Sequence, residues 1–310
     1  MVSSGGRYIW VLDRRENPLP FSKFVAASSM IVVGIEPEMS YTIAEETEAR
    51  LLERNLSEVA VEELMDITTR SIEAHLGAGS AHRYLAWLRA RRRGKPIIVL
   101  LGGAPGVGKS SVAGEVGARL RISSVIPTDA VRQVMRQLVP DTLAPMLHLS
   151  SFDAHRALRS PVPADHDPVV VGFQNQVDLV STGVRGLIDR AITEGSGLVV
   201  EGVHMVPGLF DGDVAIWAKQ AVICQMVLVV DEAAVHRAHF LARAEQASRR
   251  SADRYLYAFD ELRRIDRYIR MCAEERGVPV IAMEQLDDSI QRVIEMIVDA
   301  VIAGSTAGEI

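Results

Sequence analysis

One stretch constrains this chain more than any other: "VLLGGAPGVGKSSVAGEV", Val99 to Val116, where an apolar run breaks into glycines, a proline and a lysine before a helical pattern resumes. Gly103-Ala104-Pro105-Gly106-Val107-Gly108-Lys109-Ser110 fits the spacing G-x-x-x-x-G-K-[ST], directly after an expected strand and before an expected helix. Glycines at such a junction let successive backbone N–H groups turn inward onto phosphate oxygens, and the helix N-terminus adds partial positive charge. Lys109 supplies a point charge and the Ser110 hydroxyl a ligand for magnesium. Lysine is scarce in this sequence, occurring at positions 23, 95, 109 and 219 while 30 of the 34 basic residues are arginine, so a lysine in this loop stands out. The dinucleotide fingerprint G-x-G-x-x-G has a different spacing and no following lysine.

The rest of the sequence from Pro96 onward supplies the strands that such a loop needs. "PIIVLLG" (96–102), "ISSVIP" (122–127), "GLVVEG" (197–202), "CQMVLVVD" (224–231) and "VPVIAM" (278–283) are apolar throughout rather than alternating. That is the pattern of parallel strands covered on both faces by helices. Before the third run, Val177, Val180, Val184, Leu187 and Ala191 recur at helical spacing. The expectation is an α/β P-loop domain over 93–310: three layers with a parallel five-stranded sheet. Residues 1–92 read as a smaller, mainly helical domain, with a strand at "RYIWVL" (7–12) and a turn at "NPLP" (17–20). Two helices follow, one carrying Ile43, Ala44, Thr47 and Leu51, the next carrying Val61, Leu64, Thr68 and Ile72 behind Ser57 as N-cap. The arginines of "LRARRRGKP" (88–96) suit a helix C-terminus and mark the boundary.

Composition excludes several classes. A formal net charge of −6 argues against a general nucleic-acid binder. No apolar run approaches the roughly 20 residues that span a bilayer, and the first residues lack a signal-peptide pattern, so a soluble cytoplasmic protein without membrane contact is expected. Cys224 and Cys272, the two cysteines, exclude a disulfide framework and a cysteine-ligated metal site, and are read as inert core thiols. His236 and His239 have no companion cluster and are read as ordinary helix residues.

Downstream motifs indicate what the phosphate chain is for. "IPTDAVRQVMR" puts Thr128, Asp129 and Arg132 just after the second strand, where loops of a doubly wound sheet converge on the ligand crevice. An aspartate there can take a proton from a substrate hydroxyl, and an arginine one turn later can hold an anionic group. An N-cap aspartate beside a surface arginine is the competing reading. "VVEGVHMVPG" puts Glu201 at the end of the third strand, able to hold magnesium or its bound water, with His204 facing the same crevice, although a lone histidine reads more simply as structural than catalytic. Arg243, Arg249, Arg250 and Arg254 could close over a transferred phosphoryl group or form an exposed basic helix.

These residues resemble the 2-phosphoglycerate kinase family of P-loop small-molecule kinases. The resemblance runs along the whole chain through "PLPFSKFVAASSMIVVG", "GGAPGVGKSS", "PTDAVRQVMR", "GFQNQV" with Gln174, "VVEGVHMVPG" and "RRSADRY". It implies ATP binding by the loop from Gly103 to Ser110 with Ser111, magnesium at Ser110 and Glu201, and catalysis by Lys109, Asp129 and Arg132. Thr128, Gln174, His204 and the arginines of 243–254 would lie near substrate. The implied reaction moves the γ-phosphoryl of ATP to the 3-hydroxyl of 2-phosphoglycerate, giving 2,3-bisphosphoglycerate. Residues 1–92 resemble an ATP-cone, but the lysine–arginine pair and glycine of that pattern's first hairpin are replaced by Val11 to Asn17. A structural or self-associating role, and hence a homo-oligomer, stays open for this domain. Two other readings also stay open: a kinase for another anionic alcohol such as a sugar acid or inositol phosphate, and a nucleotide-sensing ATPase without an acceptor.

Overall fold

The structure is a computed structural model that describes residues 9–12, 17–54, 57–92, 94–246 and 249–306, without the side chains of 243–246, 249–252 and 306. The chain divides into two compact units. One runs up to Gly94 and also takes the stretch from Ile294 onward, and the other is Lys95–Val293. The return of the C-terminal stretch to the first unit differs from a simple division into two consecutive segments.

The smaller unit contains strands β1 (Trp10–Leu12), β2 (Pro18–Pro20) and β3 (Glu58–Ala60) and helices α1 (Lys23–Ile31), α2 (Pro37–Glu53) and α3 (Val61–Arg92). β1 pairs antiparallel with β2 and parallel with β3. The expected turn at 17–20 is therefore partly strand: its two prolines lack N–H donors, which an edge strand tolerates. Ser57 does not cap a helix. Its carbonyl accepts from Trp10 N, and β3 intervenes before α3 begins. α3 bends at Gly77, whose φ is 82°. Ile9, Leu51, Val59 and Ile67 form a small core.

In the larger unit the order is β4 (Ile97–Gly102), α4 (Lys109–Leu120), β5 (Ser124–Pro127), α5 (Thr128–Leu138), α6 (Pro168–Thr193), β6 (Leu198–Glu201), α7 (Asp211–Trp217), β7 (Val222–Val229), α8 (Ala233–Gln246), α9 (Arg249–Tyr257), α10 (Phe259–Glu275), β8 (Val280–Ala282) and the first part of α11 (Leu286–Thr306), whose residues from Ile294 onward count with the smaller unit. Short 3₁₀ turns at Pro145–His148 and Ala154–Ala157 lie between α5 and α6. All five strands are parallel, in the order β5-β6-β4-β7-β8. Each of the five apolar runs in the sequence is one of these strands.

Every residue of β4 is buried, as an uninterrupted apolar run requires at the centre of a covered sheet. Ile98 and Leu100 pack with Leu198 and Val200 of β6 against Val180, Val184 and Ile188 of α6. Val227 and Val229 of β7 pack against Phe259, Leu262, Ile265 and Ile269. α6 starts with Pro168 after Asp167, whose carboxylate accepts from Val169 N at 2.9 Å.

Register places the site. Leu101 of β4 and Pro127 of β5 both pair with Glu201 of β6. Three chains therefore leave the sheet side by side, into the glycine loop, into α5, and into the turn at Gly202. Gly202 is needed there: its φ is 154°, and a Cβ would lie 1.8 Å from Thr128 Oγ1.

Candidate active site

The loop between β4 and α4 wraps the helix N-terminus. Gly108, in the left-handed region at φ 92°, caps α4, and the first amides to find a carbonyl within the helix are those of Ser111 and Val112, both donating to Gly108 O. Amides ahead of them are the donors that a helix start leaves for a ligand. Within the loop Ala104 and Val107 are buried and do not line the cavity described next, while Lys109 Nζ donates to Ala104 O at 2.7 Å.

A cavity of about 660 Å³ opens over this loop. Gly106, Gly108, Lys109, Ser110 and Ser111 form one wall, joined by Pro105. Across from the loop sequence, Asp129, Arg132 and Glu201 line the same space, so the register brings together the residues that the sequence scatters over a hundred positions. Asp129 is well exposed there, at 69%, and accepts from Arg132 Nε at 3.2 Å. Arg132 is less open than a simple anion clamp: its Nη1 donates to Leu147 O and Leu149 O, each at 3.0 Å, bracing that segment against α5.

Ser110 Oγ donates to Glu201 Oε1 at 2.8 Å. A hydroxyl and a carboxylate side by side beneath the phosphate loop are hard oxygen donors, the set that suits a small divalent cation with retained water. Among the described residues no group of three or more His, Cys, Asp or Glu is placed to hold a metal by itself.

Several expected site residues sit elsewhere. Thr128 and His204 do not line the cavity but are buried behind it, bonded Thr128 Oγ1 to His204 Nδ1 at 2.8 Å. His204 Nε2 meets Gln176 Oε1 at 3.1 Å. Burial holds His204 neutral, lowering its pKa from 6.5 to about 4; Asp129 pulls the other way, and Arg132 and Lys109 add to the lowering. Gln174 bonds Tyr268 Oη at 2.8 Å and is not a cavity residue. Two positions apart on a helix means nearly opposite faces, and it is Gln176 that lies on the buried stripe with Phe173 and Val177. Arg254 is exposed, donates to Asp153 at 2.8 Å and lies over the Phe152 ring at 5.4 Å. The side chains of Arg243, Arg249 and Arg250 lie outside the described residues.

Other residues contribute without having been anticipated. Ser150, Ser151, Phe152 and Tyr255 line the cavity. His236 and His239 bond backbone carbonyls of the phosphate loop, with His236 Nε2 on Pro105 O at 2.7 Å and His239 Nδ1 on Gly106 O at 3.1 Å, and His239 also lines the cavity. Phe240 lies against Gly106, where a Cβ would come within 2.5 Å of its ring, and stacks on Tyr255 at 5.0 Å. Tyr255 in turn meets Phe152 edge-on at 5.6 Å. A histidine pair at i and i+3 followed by phenylalanine was visible in the sequence, but its partners are backbone carbonyls 131 and 133 residues away.

Comparison with known proteins fits this arrangement. No family model matches the chain. A 2-phosphoglycerate kinase of Methanopyrus kandleri is 38% identical over 291 residues, covering 94% of this chain and 87% of the relative. The 2-phosphoglycerate kinase of Methanothermobacter thermautotrophicus is 38% identical over 290 residues, 93% of this chain and 94% of its own length. That of Pyrococcus furiosus is 35% identical over 284 residues, covering 92% and 91%. Similarity at that level, spanning both units and every strand that builds the cavity, places the chain in the 2-phosphoglycerate kinase family.

Proposed function

We propose that this protein transfers the γ-phosphoryl group of ATP to the 3-hydroxyl of 2-phosphoglycerate, releasing ADP and 2,3-bisphosphoglycerate. The observation that carries the reading is the convergence of Asp129 and Arg132 with the phosphate loop on one cavity, in a chain whose relatives are named for this reaction. Loop amides and the α4 N-terminus bind the phosphate chain, and Lys109 offsets charge developing on the transferred group. Asp129 orients the acceptor hydroxyl and takes its proton as the new O–P bond forms and the bond to ADP breaks. Arg132 contributes positive charge to the acceptor's anionic end and keeps Asp129 in place. Ser110 and Glu201 would hold magnesium, which when bound neutralises phosphate charge. An acidic protein with no described helix long and apolar enough to cross a membrane suits a small-molecule role in the cytoplasm without nucleic acid. The smaller unit's departure from the ATP-cone pattern favours a structural or self-associating role over nucleotide binding.

ADP release measured with ATP, Mg²⁺ and a panel of phosphorylated hydroxy acids tests this reading. Stimulation by 2-phosphoglycerate above 3-phosphoglycerate, sugar acids and inositol phosphates is expected, and Asp129→Asn should bind ATP yet lose transfer. Indifference to every acceptor would refute the assignment, and full activity in Asp129→Asn would remove the base.

A further inference from the structure

The buried polar chain behind the cavity has only one consistent direction. Gln176 Nε2 donates to Leu149 O at 3.1 Å and to Met146 O. The amide oxygen must then accept, so His204 carries its proton on Nε2 and its Nδ1 accepts from the Thr128 hydroxyl. Leu149 O also receives Arg132 Nη1, and Arg132 returns through Nε to Asp129, the residue after Thr128. The bonds thus close a ring: Thr128, His204, Gln176, Leu149, Arg132, Asp129. Immediately after Leu149 come Ser150 and Ser151, both lining the cavity, and neither hydroxyl has a protein partner among the described residues. Two hydroxyl donors lining the same cavity as the phosphate loop suit the oxygens of a carboxylate or phosphate.

Resting on the kinase reading above, we propose that Ser150 and Ser151 bind the anionic end of the acceptor, and that the Thr128–His204–Gln176 chain positions them relative to Asp129. The serines touch substrate. Thr128, His204 and Gln176 are positioning residues that act through the backbone of 146–149, so their loss changes where the acceptor sits and leaves the phosphate loop intact.

Steady-state kinetics and ATP calorimetry on the full chain separate these roles. The double variant Ser150→Ala, Ser151→Ala should raise the acceptor KM by about 10- to 100-fold, as expected for lost hydrogen bonds to a charged group, with the Kd for ATP within about twofold of the parent. Each single variant should show a smaller rise of the same kind. Thr128→Val, which keeps shape and removes the hydroxyl, should raise the acceptor KM about tenfold with ATP binding kept, and Thr128→Ser should restore it. An unchanged acceptor KM in the serine variants overturns the subsite. If ATP affinity and acceptor KM worsen together in Thr128→Val, or serine does not rescue, the positioning role is overturned. Absence of turnover on 2-phosphoglycerate in the parent protein overturns the kinase reading itself, and this assignment with it.

Discussion

A neutral imidazole locked inside the larger unit makes its stability depend on pH in a calculable way. His204 is 1% exposed, and burial lowers its pKa from 6.5 to about 4. Above pH 6.5 neither the folded nor the unfolded chain protonates it, and its contribution is fully present. Between pH 6.5 and about 4 the unfolded chain takes a proton that the folded chain refuses, so stability falls by about 1.4 kcal/mol per pH unit. Below about 4 both states are charged and the loss levels off at roughly 3 kcal/mol. Other groups titrate in the same range, so the informative quantity is the difference between the parent and His204→Gln, in which the shared titrations cancel. Urea unfolding can be followed through Trp217, buried in the larger unit, once Trp10 and Trp87 of the smaller unit are replaced by phenylalanine. The parent's advantage over the glutamine variant should shrink by roughly 3 kcal/mol between pH 7 and pH 4. A difference that stays flat across this range would refute the buried neutral imidazole, and one that grows on acidification would mean that the imidazole is charged and paired.

Gly202→Ala would force a methyl group to 1.8 Å from Thr128 Oγ1, and should cost about 1–3 kcal/mol in urea or thermal unfolding while displacing the start of α5 and removing acceptor turnover. Phe240→Ala removes a fully buried ring from between Gly106 and Tyr255; a loss of about 3–5 kcal/mol and a raised KM for ATP are expected, the second read from kinetics at a temperature where the variant is folded. Burial pushes the Cys224 thiol up to about 12, so in a Cys272→Ser background no thiol should react with Ellman's reagent at pH 8 until denaturant is added.

The larger unit was legible because its signals are local and strong. An apolar run with no alternation, such as Ile97–Gly102, has few fates besides a central parallel strand, and the glycine-lysine loop behind it fixes the adjoining helix start. The smaller unit was harder to read since its strands have three residues each, too short for any periodicity. "EVA" at 58–60 has a single buried side chain, Val59, and becomes a strand only because β1 is there to pair with it. α1 lacked a signal for a related reason: its residues, "KFVAASSMI", carry no acidic first turn or basic last turn, and Ser22 supplies the one capping bond.

At the site, legibility followed the kind of partner. Lys109, Ser110, Asp129, Arg132 and Glu201 stood out in the sequence because they sit at strand ends or in a loop motif, and all five line the cavity. His204, Gln176, His236 and His239 bond to other side chains or to carbonyls across the fold, and spacing along one chain holds no record of such pairs. One signal was nevertheless present: a glutamine on the stripe Phe173, Val177, Val180 is a polar group on a buried helix face, and such a group must find a partner or cost the fold. Reading that stripe would have favoured Gln176 over Gln174 and pointed to a second buried polar group facing it. A motif search finds residues that line the cavity, whereas the polar residues packed behind it are found by asking which polar side chains the hydrophobic pattern has no reason to bury.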